Sequence, residues 1–280
     1  MFRSLAFVLC LPVVAQELPV AARLREAARE APVAVAHRGA SEAFPENTLA
    51  ALRAAVAMQA AVVEFDVWQT ADGAWVLLHD ATLDRTTDVV ARTGRKDARV
   101  DSVTLAQVQT LDAGSWKGSQ FRGEPVPTLA QALAAIYPAV PMIERKGGDA
   151  QALVAELRRL DAIDKVLVQA FDWPWLSAVH AAEPKLLLGA LGDGALDRER
   201  LAAAVATGAR IVHWNHRSID CDSAAAVQRS GHLLCVYTVD PDVLLLGAAA
   251  IGCDLITTNR PDRWIALRAR GGRLRAAGAK

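Results

Sequence analysis

The chain has 280 residues, and its 31 lysines and arginines are matched by 31 aspartates and glutamates. Zero formal net charge gives no electrostatic reason to expect nucleic acid or an anionic membrane as partner. A hydrophobic share of 52% with balanced charge is the composition of a soluble globular protein, long enough for one large domain or two small ones.

Residues 1–15 read as an export leader. Arg3 supplies the positive start, Leu5 to Val14 form an apolar core, and Val13-Val14-Ala15 offer a cut near Gln16. The run is too short for a retained anchor, and Leu9 is too bulky for lipoprotein cleavage at Cys10. An uncleaved buried segment is the alternative. The mature chain is therefore expected in the periplasm or outside the cell, without stable membrane insertion.

From Val33 onward, short apolar runs alternate with amphipathic ones. Strands are expected at Val33–Ala36, Ala61–Val67, Val140–Glu144, Lys165–Gln169, Lys185–Ala190, Ile211–His213, Leu233–Val239 and Leu255–Thr257. They are rich in valine, leucine and isoleucine without strict alternation, as strands buried on both faces should be. Helices are expected at Leu49–Gln59, Leu129–Ala135, Ala150–Leu160, Trp173–Ala181, Arg198–Ala206, Ser223–Ser230, Pro241–Ala250 and from Pro261 onward. About eight such units predict an α/β fold, a closed (β/α)8 barrel, with an open doubly wound sheet as the alternative. The domain is expected over 31–270, with a basic tail at 271–280. The long stretch between the second and third strands predicts a small insertion at about 80–125, entered through an extra strand at Trp75–Leu78. Among the mature cysteines at most one disulfide can form. The apolar surroundings of Cys235 and Cys253 favour core residues, and Cys221 is left over.

In such a barrel, chemistry collects at the C-terminal ends of the strands. His37 and Arg38 stand at the first. In "VVEFDV" Glu64 and Asp66 are two residues apart, so they share one face of the second strand. Two carboxylates facing an apolar region need a cation, and hard oxygen ligands suit Ca²⁺ or Mg²⁺. Glu144 on the third strand offers a third carboxylate. Lys146 shares its face and can meet an anion, an ordinary salt bridge to the acids being the rival reading. His79-Asp80 closes the extra strand. His213 and His216 in "VHWNHRS" lack a third ligand nearby and read as core or supporting residues. Asp80, Asp84, Arg85, Thr86 and Thr87 are expected to organise the insertion, and Glu46 the first helix.

With these residues assembled, the sequence resembles the glycerophosphodiester phosphodiesterase family. The pieces "AHRGASEAFPENTLAAL", "VVEFDVWQTADGAWVLLHDATLDRTTD", "VPTLAQAL", "MIERK", "VYTVD" and "GCDLITTNRP" run in the family's order over about 33–262. The resemblance implies a barrel enzyme that uses a divalent cation to hydrolyse glycerophosphodiesters to glycerol 3-phosphate and an alcohol. It implies His37 and His79 as the acid–base pair and Glu64, Asp66 and Glu144 as ligands of one divalent cation, Ca²⁺ favoured over Mg²⁺ for an exported protein. Arg38 and Lys146 would hold the phosphate, Asn47 would organise the site, and Phe171 and Tyr237 would line the pocket. Two departures bear on substrate fit: Tyr237 stands where relatives often carry tryptophan, and Ala170 where serine often precedes the phenylalanine. The alternatives are a phospholipase-type enzyme acting on intact or lyso-phospholipid, which wants an exposed apolar rim, and an exported glycerophosphodiester-binding protein, which would need no pair of histidines.

Overall fold

The computed structural model describes residues 20–278; the expected leader and Cys10 lie outside them. Nine strands form one sheet: β1 (Val33–Ala36), β2 (Val62–Gln69), β3 (Trp75–Leu77), β4 (Val140–Arg145), β5 (Leu167–Ala170), β6 (Leu187–Gly192), β7 (Ile211–Asn215), β8 (Leu233–Tyr237) and β9 (Leu255–Thr258). Their order is β1-β9-β8-β7-β6-β5-β4-β2-β3, and β1 also pairs with β2. That last pairing closes eight parallel strands into the expected (β/α)8 barrel. Only β3 is antiparallel, returning along the far end of β2. Strand ends differ from expectation by up to two residues: β5 starts at Leu167, and β8 stops at Tyr237.

Strand alternation sorts the side chains. Val33, Val35, Val62, Met142, Leu167, Leu187, Ile211, Leu233 and Leu255 pack together inside the barrel. Their neighbours, such as Val63, Phe65, Ile143, Val168 and Val212, face the helical ring. Each full burial of such a side chain is worth about 1.5–3 kcal/mol. Both faces are therefore apolar near the strand starts, which is why the runs show no simple polar alternation.

The ring contains α2 (Leu49–Ala57), α5 (Leu129–Ile136), α6 (Ala150–Arg159), α7 (Trp173–Ala182), α8 (Arg198–Ala206), α9 (Cys221–Arg229), α10 (Asp242–Ala250) and α11 (Pro261–Gly278). Asp149, Asp172, Asp197 and Asp220 cap the starts of α6 to α9 through their side chains, each cap being worth about 1 kcal/mol. Pro241, expected inside its helix, is the residue that precedes α10. Outside the insertion, one described helix has no counterpart among those expected: α1 (Val20–Ala28), whose Val20 and Leu24 are buried against the first residues of the strands. It covers apolar side chains that water would otherwise reach at the barrel's lower end. Cys235 and Cys253 are buried and free, and Cys221 is exposed and free. Among the described residues no helix is long and apolar enough to cross a membrane.

The insertion between β2 and β4 holds β3 and two short helices, α3 (Val89–Thr93) and α4 (Leu105–Val108). It has its own core of Val76, Leu83, Val100, Val108, Leu111 and Val126 among others. Its return loop is tied by Asp112, whose carboxylate accepts from the Gly114, Ser115 and Gly123 backbone N–H groups at 2.8, 2.9 and 2.9 Å, and from the Ser115 hydroxyl at 2.6 Å. Asp112→Ala leaves those donors without their acceptor. The expected outcome is faster protease cleavage within 112–123 while the barrel stays intact, read by limited proteolysis with mass analysis. Cleavage no faster than in the parent would show that the loop is held by other contacts.

Candidate active site

The turn after β1 has unusual backbone geometry. Arg38 has φ 54° and Gly39 φ 82°, both in the left-handed region. At Gly39 a β-carbon would sit 2.6 Å from the carbonyl carbon of Ala51 in α2, so only glycine lets the turn lie on that helix. Arg38 adopts a conformation disfavoured by about 1–2 kcal/mol for a side-chain-bearing residue. Its contacts offset that cost. The backbone N–H donates to Glu64 Oε2 at 2.8 Å, Nη1 donates to Glu46 Oε1 at 2.9 Å, and Nε lies 3.2 Å from Asp66 Oδ2. Asn47, at φ 59°, spans from the loop to β2: its Nδ2 donates to Asp66 Oδ2 at 2.8 Å, and its Oδ1 accepts from the Asp66 N–H at 3.0 Å. Thr48, not Glu46, caps α2. Glu46 instead pairs with Arg38 and Arg85, which corrects the role expected for it.

Glu64, Asp66 and Glu144 project inward from β2 and β4 and are buried, and each offers an oxygen within 4.8 Å of the others. Register explains the meeting: Asp66 pairs with Glu144 across adjacent strands, and Glu64 lies two residues back on the same face. Burial, then the charges of Asp66 and Glu144, pushes Glu64 well above the usual carboxylate range. Burial and Asp66 likewise push Glu144 up to about 7. Burial works against ionisation of Asp66 too, but Lys146 and Arg38 outweigh it and hold this carboxyl below its ordinary value. Lys146 Nζ lies 2.5 Å from Glu144 Oε1 and 3.3 Å from Asp66 Oδ1, so the salt-bridge reading of this lysine is realised.

The cluster fits a hard divalent cation. Its donors are all carboxylate oxygens, and Glu64 Oε1 is buried without accepting any hydrogen bond. A buried acceptor left open beside two more carboxylates is what an ion would satisfy.

Both histidines expected at strand ends face the same cavity, of about 280 Å³, with Arg38, Glu64, Glu144, Lys146, Phe171 and Tyr237 among its walls. His37 Nδ1 is 2.7 Å from Asn259 Oδ1, while Asn259 Nδ2 donates to Asp240 Oδ2 at 2.7 Å. The second bond orients the amide, so Nδ1 of His37 carries the proton and Nε2 is the accepting nitrogen. Burial, then the Arg38 charge, pushes His37 down to about 4. His79 Nδ1 is 2.7 Å from Asp80 Oδ1, and the His79 backbone carbonyl accepts from Trp68 Nε1 at 3.2 Å.

The profile of the Glycerophosphoryl diester phosphodiesterase family matches residues 37–263. The chain belongs to that family. A glycerophosphodiester phosphodiesterase from Caldanaerobacter subterraneus subsp. tengcongensis is 30% identical over 246 residues, covering 85% of this chain and 98% of its own. An Oleispira antarctica phosphodiesterase solved in complex with the product sn-glycerol-3-phosphate superposes with a TM-score of 0.76 at 26% identity, covering 84% of this chain and 96% of its own. A glycerophosphodiester phosphodiesterase from Agrobacterium tumefaciens str. C58 gives 0.72 at 28% identity, covering 84% and 99%. The chain is thus a glycerophosphodiester phosphodiesterase with the family's barrel.

In this phosphodiesterase His37, Arg38, Asn47, Glu64, Asp66, His79, Glu144 and Lys146, site residues that the resemblance implies, lie together at the barrel mouth, and the Phe171 and Tyr237 rings line its rim. Asn47 stands behind Asp66, and the others border the cavity or its acidic cluster. Phe171 is half exposed at the rim and meets Tyr237 edge-on at 6.0 Å between ring centres. Two floor residues, Gln169 and Thr257, were not singled out in the sequence, while His213 between them is the core residue expected. His213 is buried, its Nδ1 2.6 Å from Gln169 Oε1 and its Nε2 3.0 Å from Thr257 Oγ1. Burial, with His37 adding to it, pushes His213 down to about 3, so the ring is neutral. His216 faces elsewhere and bonds the Tyr237 carbonyl at 3.0 Å, so the two histidines of that motif do not converge. The available signal was a polar side chain at the inward position of an apolar strand, as at Gln169 and Thr257.

The raised carboxyls set a pH dependence. Without an ion, folded Glu144 keeps its proton to about pH 7, against 4.5 for the ordinary group. The folded chain then holds more protons than the unfolded one between those values, so its stability falls as pH rises through that window. A divalent ion must displace those protons. Calorimetry near pH ~6, in buffers of different ionisation heat, is expected to show about one or more protons released per ion and an affinity that climbs toward neutrality. Binding with no proton release and no pH dependence would remove Glu144 and Glu64 from the ligand set.

Proposed function

We propose that this chain hydrolyses glycerophosphodiesters to glycerol 3-phosphate and an alcohol, with His37 and His79 moving the protons and one divalent cation held by Glu64, Asp66 and Glu144. The observation that carries this reading is the convergence of two histidines, each with Nδ1 engaged, on a small cavity walled by two cations and two acids, with the third acid, Asp66, buried beside them. The product seen in the Oleispira antarctica relative supports the same bond as the one cleaved.

A phosphodiester carries one negative charge and gains more toward the transition state. A bound divalent cation supplies positive charge to a phosphoryl oxygen at that stage. Arg38 binds another oxygen as a fixed, always protonated donor. Lys146 turns its ammonium from the acids to the phosphate. His37, neutral and with Nε2 accepting, takes the proton of the attacking oxygen, which belongs to water or to the neighbouring glycerol hydroxyl. A new P–O bond forms as the P–O bond to the alcohol breaks. His79, protonated and with the Asp80 carboxylate behind it, gives its Nε2 proton to the departing oxygen. If the glycerol hydroxyl attacks, water then opens the cyclic phosphate by the same transfers in reverse.

The aromatic pair Phe171 and Tyr237 takes the organic ends, away from the charged wall. A cavity of about 280 Å³ suits a small diester more than an acylated one. The leader over 1–15 carries the further proposal that the enzyme works outside the cytoplasm, where calcium is the available hard ion.

The test is product analysis on glycerophosphocholine and a panel of other head groups. Equal yields of glycerol 3-phosphate and free alcohol are expected. Formation of glycerol and a phosphorylated head group would place the cut on the other side of phosphorus and overturn the reading. His37→Ala and His79→Ala are each expected to lower turnover by roughly 10²–10⁴-fold, with the fold kept because both rings lie at the mouth. Excess chelator is expected to abolish turnover and lower the melting temperature, since an ion bound only to the folded chain stabilises it. Full activity in chelator with no metal by elemental analysis would exclude the cation.

A further inference from the structure

We propose that Arg85 is a positioning residue for the reaction: its guanidinium bridges Asp80 and Glu46, and so holds His79 in register with the arginine that grips the phosphate. The inference rests on His79 transferring a proton, as proposed above.

The bridge has donors on both sides. Arg85 Nε donates to Asp80 Oδ2 at 2.6 Å, and Nη2 lies 3.1 Å from Asp80 Oδ1. On the other side, Nη1 donates to Glu46 Oε2 at 3.0 Å and Nη2 to Glu46 Oε1 at 2.8 Å. Asp80 Oδ1 also accepts from His79 Nδ1 at 2.7 Å, and Glu46 Oε1 from Arg38 Nη1 at 2.9 Å. The result is one alternating chain, Arg38–Glu46–Arg85–Asp80–His79. It joins the loop after β1 to the insertion after β3, two segments that the barrel ladder does not hold together at this point.

Only a planar fork serves both carboxylates at once; a lysine ammonium is a single point with three donors. Without the fork, Asp80 and Glu46 face each other with no shared counter-charge and move apart. Asp80 can then no longer keep the His79 ring turned so that Nε2 faces the cavity. Arg38 depends on the bridge far less, because Glu64 and Asp66 also hold it. The effect should therefore fall on turnover and spare substrate affinity.

The experiment is a double-mutant cycle on the full chain with the cation present, using glycerophosphocholine. Arg85→Met keeps length and removes the fork. It is expected to lower kcat by roughly 10–100-fold, the range for lost partners of a functional histidine, with KM changed by less than about threefold. In the His79→Ala background the same substitution is expected to cost less than about twofold, because its effect passes through His79. Guanidinium ion at tens of millimolar should restore part of kcat to Arg85→Met, since the Arg85 side chain is 44% exposed and its place is open to solvent. If Arg85→Met fails to fold, Asp80→Asn carries the same cycle from the next link. Unchanged kcat in a folded variant, or the full loss repeated in the His79→Ala background, would overturn the proposal. Near-normal turnover of His79→Ala alone would instead sink the proton-transfer reading and the bridge with it, a result distinct from an inactive His79→Ala beside a fully active Arg85→Met.

Discussion

Three carboxylates buried on the inner wall of a barrel are the constraint around which the mouth is built. Ionised carboxyls cannot stay in an apolar interior without counter-charge and donors. Glu64, Asp66 and Glu144 therefore draw a surrounding set of groups: the Arg38 guanidinium and backbone N–H, the Lys146 ammonium and the Asn47 amide. The left-handed turn at Arg38 and Gly39 follows from this demand. It turns the N–H of Arg38 toward Glu64 and sets the chain down on α2, a close approach that only the glycine allows. Strain at a functional turn of this kind persists when neighbouring contacts over-determine it.

The same demand divides the cavity in two. Charged side chains come from one arc of adjacent strands, β1, β2 and β4. The opposite arc, β5 to β9, supplies Gln169, Phe171, Leu191, His213, Tyr237 and Thr257, none of them charged. On that arc the polar atoms are spent on one another: His213 on Gln169 and Thr257, and the Tyr237 hydroxyl on the Gly192 carbonyl at 2.9 Å. The two histidines are held by different means. His37 leans on an amide fixed by Asp240, within the barrel itself, and His79 on a carboxylate fixed by Arg85, within the insertion. The insertion is thus part of the site and not an appendage beside it.

Much of this was legible in the chain. Valine- and leucine-rich runs at regular spacing specify buried parallel strands, because only such strands tolerate apolar side chains on both faces. The pair Glu64 and Asp66 was readable because side chains two apart on a strand share a face, and a carboxyl on an apolar face calls for a cation. Helix α1 escaped because its "VAARLREAA" follows an apolar leader and precedes the first strand, so the strand–helix alternation does not call for it. Glu46 was misread as a helix-start residue because sequence proximity to α2 is visible, while its partner Arg85 is 39 residues away.

Sequence by itself determined the strand count, the alternating units, the acids, the histidines and the family to which the chain belongs, since these follow from local residue type and period. Only the tertiary structure decided which of these groups meet. The register of Asp66 against Glu144 brings the three acids together, and closure of β1 on β2 sets Arg38 beside them. The fold of the insertion brings Arg85 between two carboxylates, and the inward turn of β7 makes His213 a neutral floor residue while His216 leaves the cavity. The physical reason is range. Periodicity and propensity act over a few residues, whereas a charge pair or a barrel seam depends on segments that only the folded chain brings within a few ångströms.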